Sequence, residues 1–306
     1  MLSAKVWKPD AIMRLLLSVF VCTFAGSLFP SLRYCFGAVG TVTAKLLVPL
    51  AVVSIGCLVA TLVLINRPWR LETFERRLIA VLVCFCGGFL AGAWVQRLCG
   101  DQVPESSPGR ILVVTLTIYG AGLVLVVRFL REHQMSWAEG FGLANRWSRA
   151  VLLGMLIALI FLPVGWGLQQ ASAQAMTHLP HFKLQPQEQP VIQALRAAAS
   201  CWWDRLALGV TAVLLAPVAE EVFFRGILYP AIKQAGYPRL ALWGTALFFA
   251  VVHVNMVTFV PLTVLALALT ALYERTDNLL APITAHAMFN ALNFVTLLLL
   301  QERVGG

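Results

Sequence analysis

The sequence predicts an all-α fold, a polytopic membrane bundle of about nine transmembrane helices, on three observations. Of its 306 residues, 59% are hydrophobic and only 12% are charged, against roughly 45–50% and about 25% in soluble domains. The apolar residues gather into uncharged runs. A helix rising about 1.5 Å per residue needs roughly 20 such residues to cross a core of about 30 Å. No alternating strand pattern and no internal repeat interrupts the runs. This excludes a disordered chain, a collagen-like fibre, a coiled coil and a small disulfide scaffold.

In chain order the uncharged runs are Leu15–Leu32, Leu46–Asn66, Leu78–Gln96, Ile111–Val127, Ala150–Gln169 and Leu206–Ala219, then Leu240–Tyr273 and Asn278–Leu300. Leu240–Tyr273 has 34 residues and would be about 51 Å long as one helix, too long for one crossing. Asn255 and Pro261 predict a break into two short helices there. Residues 1–169 form a five-span region with few polar residues inside the spans. Residues 170–205 form an outer segment and residues 206–306 a third, chemically richer region. In the outer segment Val191, Ile192, Leu195 and Ala198 recur at helical spacing before Trp202-Trp203, which reads as an interfacial helix with an aromatic anchor.

The 23 Lys and Arg exceed the 14 Asp and Glu, giving +9. A nucleic-acid surface would need a soluble basic face, and none is visible. With the N-terminus inside, inner segments hold 15 of the basic residues and outer segments 8, so the positive-inside rule favours a cytoplasmic N-terminus. The first span follows Lys5, Lys8 and Arg14, but Phe24-Ala25-Gly26-Ser27 is a poor cleavage site, and a retained anchor is expected. That makes a multi-pass integral membrane protein, of the plasma (inner) membrane if the source is bacterial. Cys22, Cys57, Cys84 and Cys86 read as apolar packing residues. Cys35, Cys99 and Cys201 fall in outer segments, where a disulfide can form. The Gly88-x-x-x-Gly92 pattern reads as helix packing.

The third region carries the chemistry. Glu220 and Glu221 directly follow fourteen uncharged residues, and a carboxylate at membrane depth costs about 2.5–3.5 kcal/mol. Glu221 and Arg225 are i,i+4 with the acid first, the favourable order for a helical ion pair. Glu220 is turned about 100° away. Phe249 and His253 share one helix face, as do His286 and Asn290. If the inner helix ends lie near Ala231, Arg239 and Asn278, then Glu220, His253 and His286 sit roughly 16, 21 and 12 Å deep, near the bilayer middle. Intramembrane ionisable groups at one depth predict a shared polar cavity.

In order along the chain, Glu220-Glu221-Val222-Phe223-Phe224-Arg225, Phe249-x-x-x-His253 and His286-x-x-x-Asn290 resemble the motifs of the CPBP family. These are the CAAX-processing and bacteriocin-processing intramembrane proteases, also called the Abi family. The resemblance covers about residues 205–300 and implies peptide-bond hydrolysis within the membrane. By motif position it implies that Glu220 is the general base and His253 its partner on a water. It implies that His286 and Asn290 stabilise the oxyanion, and that Glu221 and Arg225 support the helix, with Phe249 part of the motif. Histidine and asparagine are suited to donate to a developing negative oxygen.

A proton-coupled transporter is the alternative, since mid-membrane Glu–His networks also relay protons; no inverted repeat supports it. A catalytically idle scaffold of the same fold is the other. Glu220, His253 and His286 resemble the donor set of an open zinc site. Yet H-E-x-x-H is absent, and a zinc ligand at Glu220 could not easily serve as the base. The metal-free reading is favoured, with zinc as its alternative. The expected partners are a membrane-associated protein or peptide substrate and the lipid bilayer.

The orientation is testable by side-specific labelling. A cysteine introduced at Lys233 should react only from the cytoplasmic side and one at Lys183 only from the outer side. Reversed labelling would invert the assignment.

Overall fold

The computed structural model describes residues 7–37, 42–67, 69, 71–99, 108–178, 190–198 and 201–305. Among the described residues the regular elements are all helices and no strand occurs. They are α1 (Pro9–Gly37), α2 (Val42–Ile65), α3 (Phe74–Cys99), α4 (Pro108–Glu132), α5 (Trp137–Phe141) and α6 (Trp147–His178). After these come α7 (Pro190–Ala197), α8 (Trp202–Gln234), α9 (Pro238–Val251), α10 (Met256–Thr276) and α11 (Leu280–Gly305). Among the described residues eight helices are long and apolar enough to cross a membrane, and the 14-residue α9 is a shorter apolar ninth. The protein is a polytopic helical bundle.

The chain forms two compact units, Lys8–Phe129 and a second one of Met1–Trp7 with Leu130–Gly306. In the first unit α3 packs closely on its neighbours through small residues. A Cβ on Gly88 would lie 3.1 Å from the Leu58 side chain, and one on Gly92 would lie 2.8 Å from that of Leu28. The Ser54 hydroxyl donates to the Gly88 carbonyl at 2.8 Å. Cys22, Cys57, Cys84 and Cys86 are free thiols. Cys201, in the second unit, is also free, while the side chains of Cys35 and Cys99 lie outside the described residues.

In the second unit α6, α10 and α11 share a core of Phe161, Leu265, Leu269, Leu272, Ala281 and Ala285. The helices approach at Gly154, where a Cβ would lie 2.5 Å from the Ala281 carbonyl oxygen and 2.8 Å from the Thr284 side chain. The turn between α10 and α11 is fixed by the fully buried Asn278. Its amide donates to the Asn145 carbonyl at 2.6 Å, and its oxygen accepts from the Leu280 N–H at 2.8 Å. The predicted interfacial helix is α7, whose Ala194 and Leu195 are buried, and Trp202 and Trp203 beyond it are exposed.

The 34-residue run breaks at one of the two signals. Asn255 is the N-cap of α10, its side-chain oxygen accepting from the Thr258 N–H at 3.1 Å. Pro261 lies inside α10. It removes a single hydrogen-bond donor one turn past the cap, which the buried helix tolerates. At about 21 Å, the 14-residue α9 is shorter than the roughly 30 Å thickness of a bilayer core. The run Leu206–Ala219 continues as helix through both glutamates to Gln234, with π-helical turns at Thr211–Leu215 and Val222–Leu228.

Because the carbonyl of Ala281 is backbone and cannot rotate aside, Gly154→Ala should overpack the α6–α11 contact. We expect a loss of about 1–3 kcal/mol, read as a lower melting temperature in detergent.

Candidate active site

The two glutamates are adjacent at the end of a short α-helical stretch, Ala216–Glu221, and the π-helical turn Val222–Leu228 carries Arg225. Glu221 is completely buried and Arg225 nearly so. Their side chains pair at 2.7 Å, Arg225 Nη1 donating to Glu221 Oε1. Arg225 Nη2 also donates to the Ala266 carbonyl on α10 at 3.1 Å. The guanidinium lies 4.7 Å from the centre of the Phe249 ring, a cation–π contact in a site with little water.

Glu221 has a second partner that sequence spacing did not reveal. His286 Nδ1, on α11, lies 2.9 Å from the same Glu221 Oε1. His253 Nδ1 lies 2.7 Å from the Phe249 carbonyl oxygen. A carbonyl can only accept, and so can an ionised carboxylate. Both rings therefore carry a proton on Nδ1. In its neutral form each ring offers a bare Nε2 as an acceptor.

Those two Nε2 atoms face the other glutamate. His253 Nε2 is 4.0 Å and His286 Nε2 3.8 Å from Glu220 Oε2. Side-chain exposure runs from 25% at His253 through 11% at Glu220 to 4% at His286. The most exposed edge of the cluster is thus at His253. This histidine sits in the turn just beyond α9 rather than on its face, because α9 ends two residues earlier. The Phe249 ring is fully buried and packs between the histidines, 4.8 Å from His253 and 5.7 Å, edge-on, from His286.

Asn290 lies one helical turn beyond His286. Its amide donates to the Ala212 carbonyl at 2.9 Å, tying α11 to the π-helical turn Thr211–Leu215. The structure thus brings Glu220, Glu221, Arg225, Phe249, His253 and His286 together and gives Asn290 a partner on α8.

Two imidazole nitrogens and a carboxylate oxygen are a donor set that zinc can use. Bonds of about 2.0–2.1 Å at tetrahedral angles would place those atoms roughly 3.3–3.4 Å apart. The separations from Glu220 Oε2 are 3.8 and 4.0 Å. Among the described residues no group of three His, Cys, Asp or Glu side chains is placed to hold a metal ion. As arranged, these residues do not fit zinc.

Residues 202–292 match the family model of the type II CAAX prenyl endopeptidases, Rce1-like. Two bacterial proteins are similar over the same kind of length. The uncharacterized protein YpbD of Bacillus subtilis is 35% identical over 82 residues, 26% of this chain and 39% of that protein. The UPF0177 protein YaiF of Lactococcus lactis is 36% identical over 90 residues, 28% of this chain and 38% of that protein. The similarity therefore spans about two fifths of the length of these relatives. No solved structure matches. All three site motifs fall inside the matched segment.

The geometry makes Glu221 the structural acid of the pair. Glu221→Gln should strand a buried guanidinium and cost about 3–5 kcal/mol, seen as a large drop in melting temperature or in folded yield. A variant that melts like the wild type would refute the buried ion pair.

Proposed function

We propose that the protein is an intramembrane endopeptidase. It hydrolyses a peptide bond of a membrane-associated protein or peptide, with Glu220 as general base. The observation that carries this reading is the convergence of two imidazole Nε2 atoms on Glu220 Oε2, at 4.0 and 3.8 Å, in a bundle of apolar helices. The Rce1-like match of the same segment supports it.

The chemistry follows from the acceptors. A water lying about 2.8 Å from both Glu220 Oε2 and His253 Nε2 would donate one proton to each. With both O–H bonds tied, its lone pairs face away from the two residues, toward an incoming carbonyl carbon. As the water oxygen bonds to that carbon, Glu220 takes one proton and later returns it to the leaving amine. The water oxygen stays in the new carboxyl group. His286 contributes to the oxyanion only as imidazolium, because its Nδ1 proton is already committed to Glu221. With one imidazolium, the two glutamates and Arg225 sum to zero formal charge, which suits a site without bulk water. Asn290 adds its second amide proton while the first stays on Ala212. No step uses a metal.

Purified protein should cleave a reporter built from a membrane-anchored peptide library. Glu220→Gln should abolish turnover with an unchanged melt, and Asn290→Ala should cost on the order of 10²–10³ in rate, as for one oxyanion donor. Cleavage undiminished in Glu220→Gln would overturn the assignment of the base. Elemental analysis should find no stoichiometric zinc, and exhaustive chelation should leave the rate unchanged. Activity lost on chelation and restored by zinc would replace the metal-free mechanism while leaving the peptidase standing.

A further inference from the structure

A second polar concavity lies in the same unit, away from the Glu220 cluster. It is a cleft of about 340 Å³ between the start of α6 and the end of α10. Three arginines line it: Arg146 and Arg149 from α6 and its approach, and Arg275 from the last turn of α10. All three are exposed. None of their side chains makes an ion pair or hydrogen bond with another described residue. Asn145 and Thr276 add neutral polar groups, and Glu274 and Asp277 add two acids. Glu274 is already engaged by Lys233 and Tyr229. The lining thus holds three cations against two carboxylates, one of which is already paired outside the cleft with Lys233.

Its depth is set by the helices that form it. The apolar span of α6 begins at Trp147, and that of α10 ends at Thr276. The cleft is therefore at the boundary between membrane and water. Trp147 is 61% exposed beside Arg146, the aromatic-next-to-basic pairing found at headgroup level. The floor turns apolar along α6, through Ala150 and Leu153, in the direction of the bilayer core. A cationic mouth over an apolar floor at this height suits an anionic amphiphile. Arginine forks match phosphate oxygens.

We infer that this cleft binds the phosphate headgroup of an anionic phospholipid, with Arg146, Arg149 and Arg275 around the phosphate and an acyl chain running past Leu153. The site is about 13 Å along α10 from Ala266, which accepts from Arg225. It stands independently of the peptidase reading. On the N-in orientation it faces the inner leaflet.

The test is lipid binding by the full-length protein in detergent, titrated with phosphatidylglycerol, phosphatidylcholine and inorganic phosphate and read by native mass spectrometry and melting temperature. Phosphatidylglycerol should bind and stabilise, and phosphatidylcholine should do neither. The double variant Arg149→Gln, Arg275→Gln should weaken phosphatidylglycerol binding roughly thirtyfold, from about 1 kcal/mol per basic residue. The charge-conserving Arg149→Lys, Arg275→Lys pair should keep most of it, and it carries the test if the glutamine pair fails to fold. Equal binding of the two lipids would overturn the inference, as would an unchanged affinity in the glutamine variant. Inorganic phosphate matching phosphatidylglycerol would reassign the site to a soluble anion and overturn the lipid.

Discussion

The carboxylate of Glu221 holds the candidate site together. One oxygen receives both the Arg225 guanidinium and the His286 imidazole. Arg225 in turn reaches α10 through Ala266 and lies against Phe249 of α9. Four helices thus meet through a single buried anion. Burying a carboxylate completely is costly, and the cost is met only by good geometry and further hydrogen bonds. Here a guanidinium, a ring N–H and an aromatic face supply them. The other oxygen of Glu221 is buried with no hydrogen-bond partner, so the compensation is one-sided. That asymmetry fits a group retained for where it puts His286 rather than for stability alone.

Adjacent positions on a helix face about 100° apart, and this angle divides the labour between the two acids. Glu221 turns into the packed core, where its charge is matched. Glu220 turns toward the two Nε2 atoms and the more exposed edge. The short α9 completes the arrangement. Because it ends at Val251, His253 falls in a turn that keeps a quarter of its side chain exposed, while Phe249 one turn earlier is buried. The more exposed side of the site is thus at His253, apart from the buried Glu221–Arg225 pair.

Much of this was legible in the sequence. The helical bundle follows from uncharged runs whose length matches the bilayer, and the Glu221–Arg225 pair follows from i,i+4 spacing within one helix. The break at Asn255 follows from its capping chemistry. What spacing does not encode is contact between helices. The bond from His286 to Glu221 joins residues 65 apart, and no periodicity points to it. The hydrogen bond from His253 to the Phe249 carbonyl was within reach, because a ring four residues on can meet that carbonyl at a helix end. Pro261 misled because a proline breaks a helix reliably only where its missing donor and ring cannot be absorbed, and one turn past a strong cap they can be. The extent of α8 was hidden for a related reason. Hydropathy stops a span at charged residues, whereas buried partners let the helix run on through them.

The face of α8 opposite the reacting groups shows why the site can be held in place. π-helical turns widen the backbone and shift carbonyls off the regular ladder, and they recur at functional sites. The turn Val222–Leu228 is such a place, and its Gly226 carbonyl accepts from the Trp7 indole at 3.1 Å. Phe141 packs where a Cβ of residue 226 would be, within 2.6 Å, so only glycine fits. Phe141 is itself fixed by α5, whose Ser136–Glu139 capping box closes its first turn. The helix that carries both glutamates is thus braced by aromatic residues from behind and pinned by Arg225 in front. Glu220 stands next to the most constrained acid in the segment and inherits its position from it. On the proposed reading of Glu220 as general base, that group must be placed to within a fraction of an ångström while its reacting oxygen stays open to a water. Constraining the neighbouring residue instead of the base satisfies both demands.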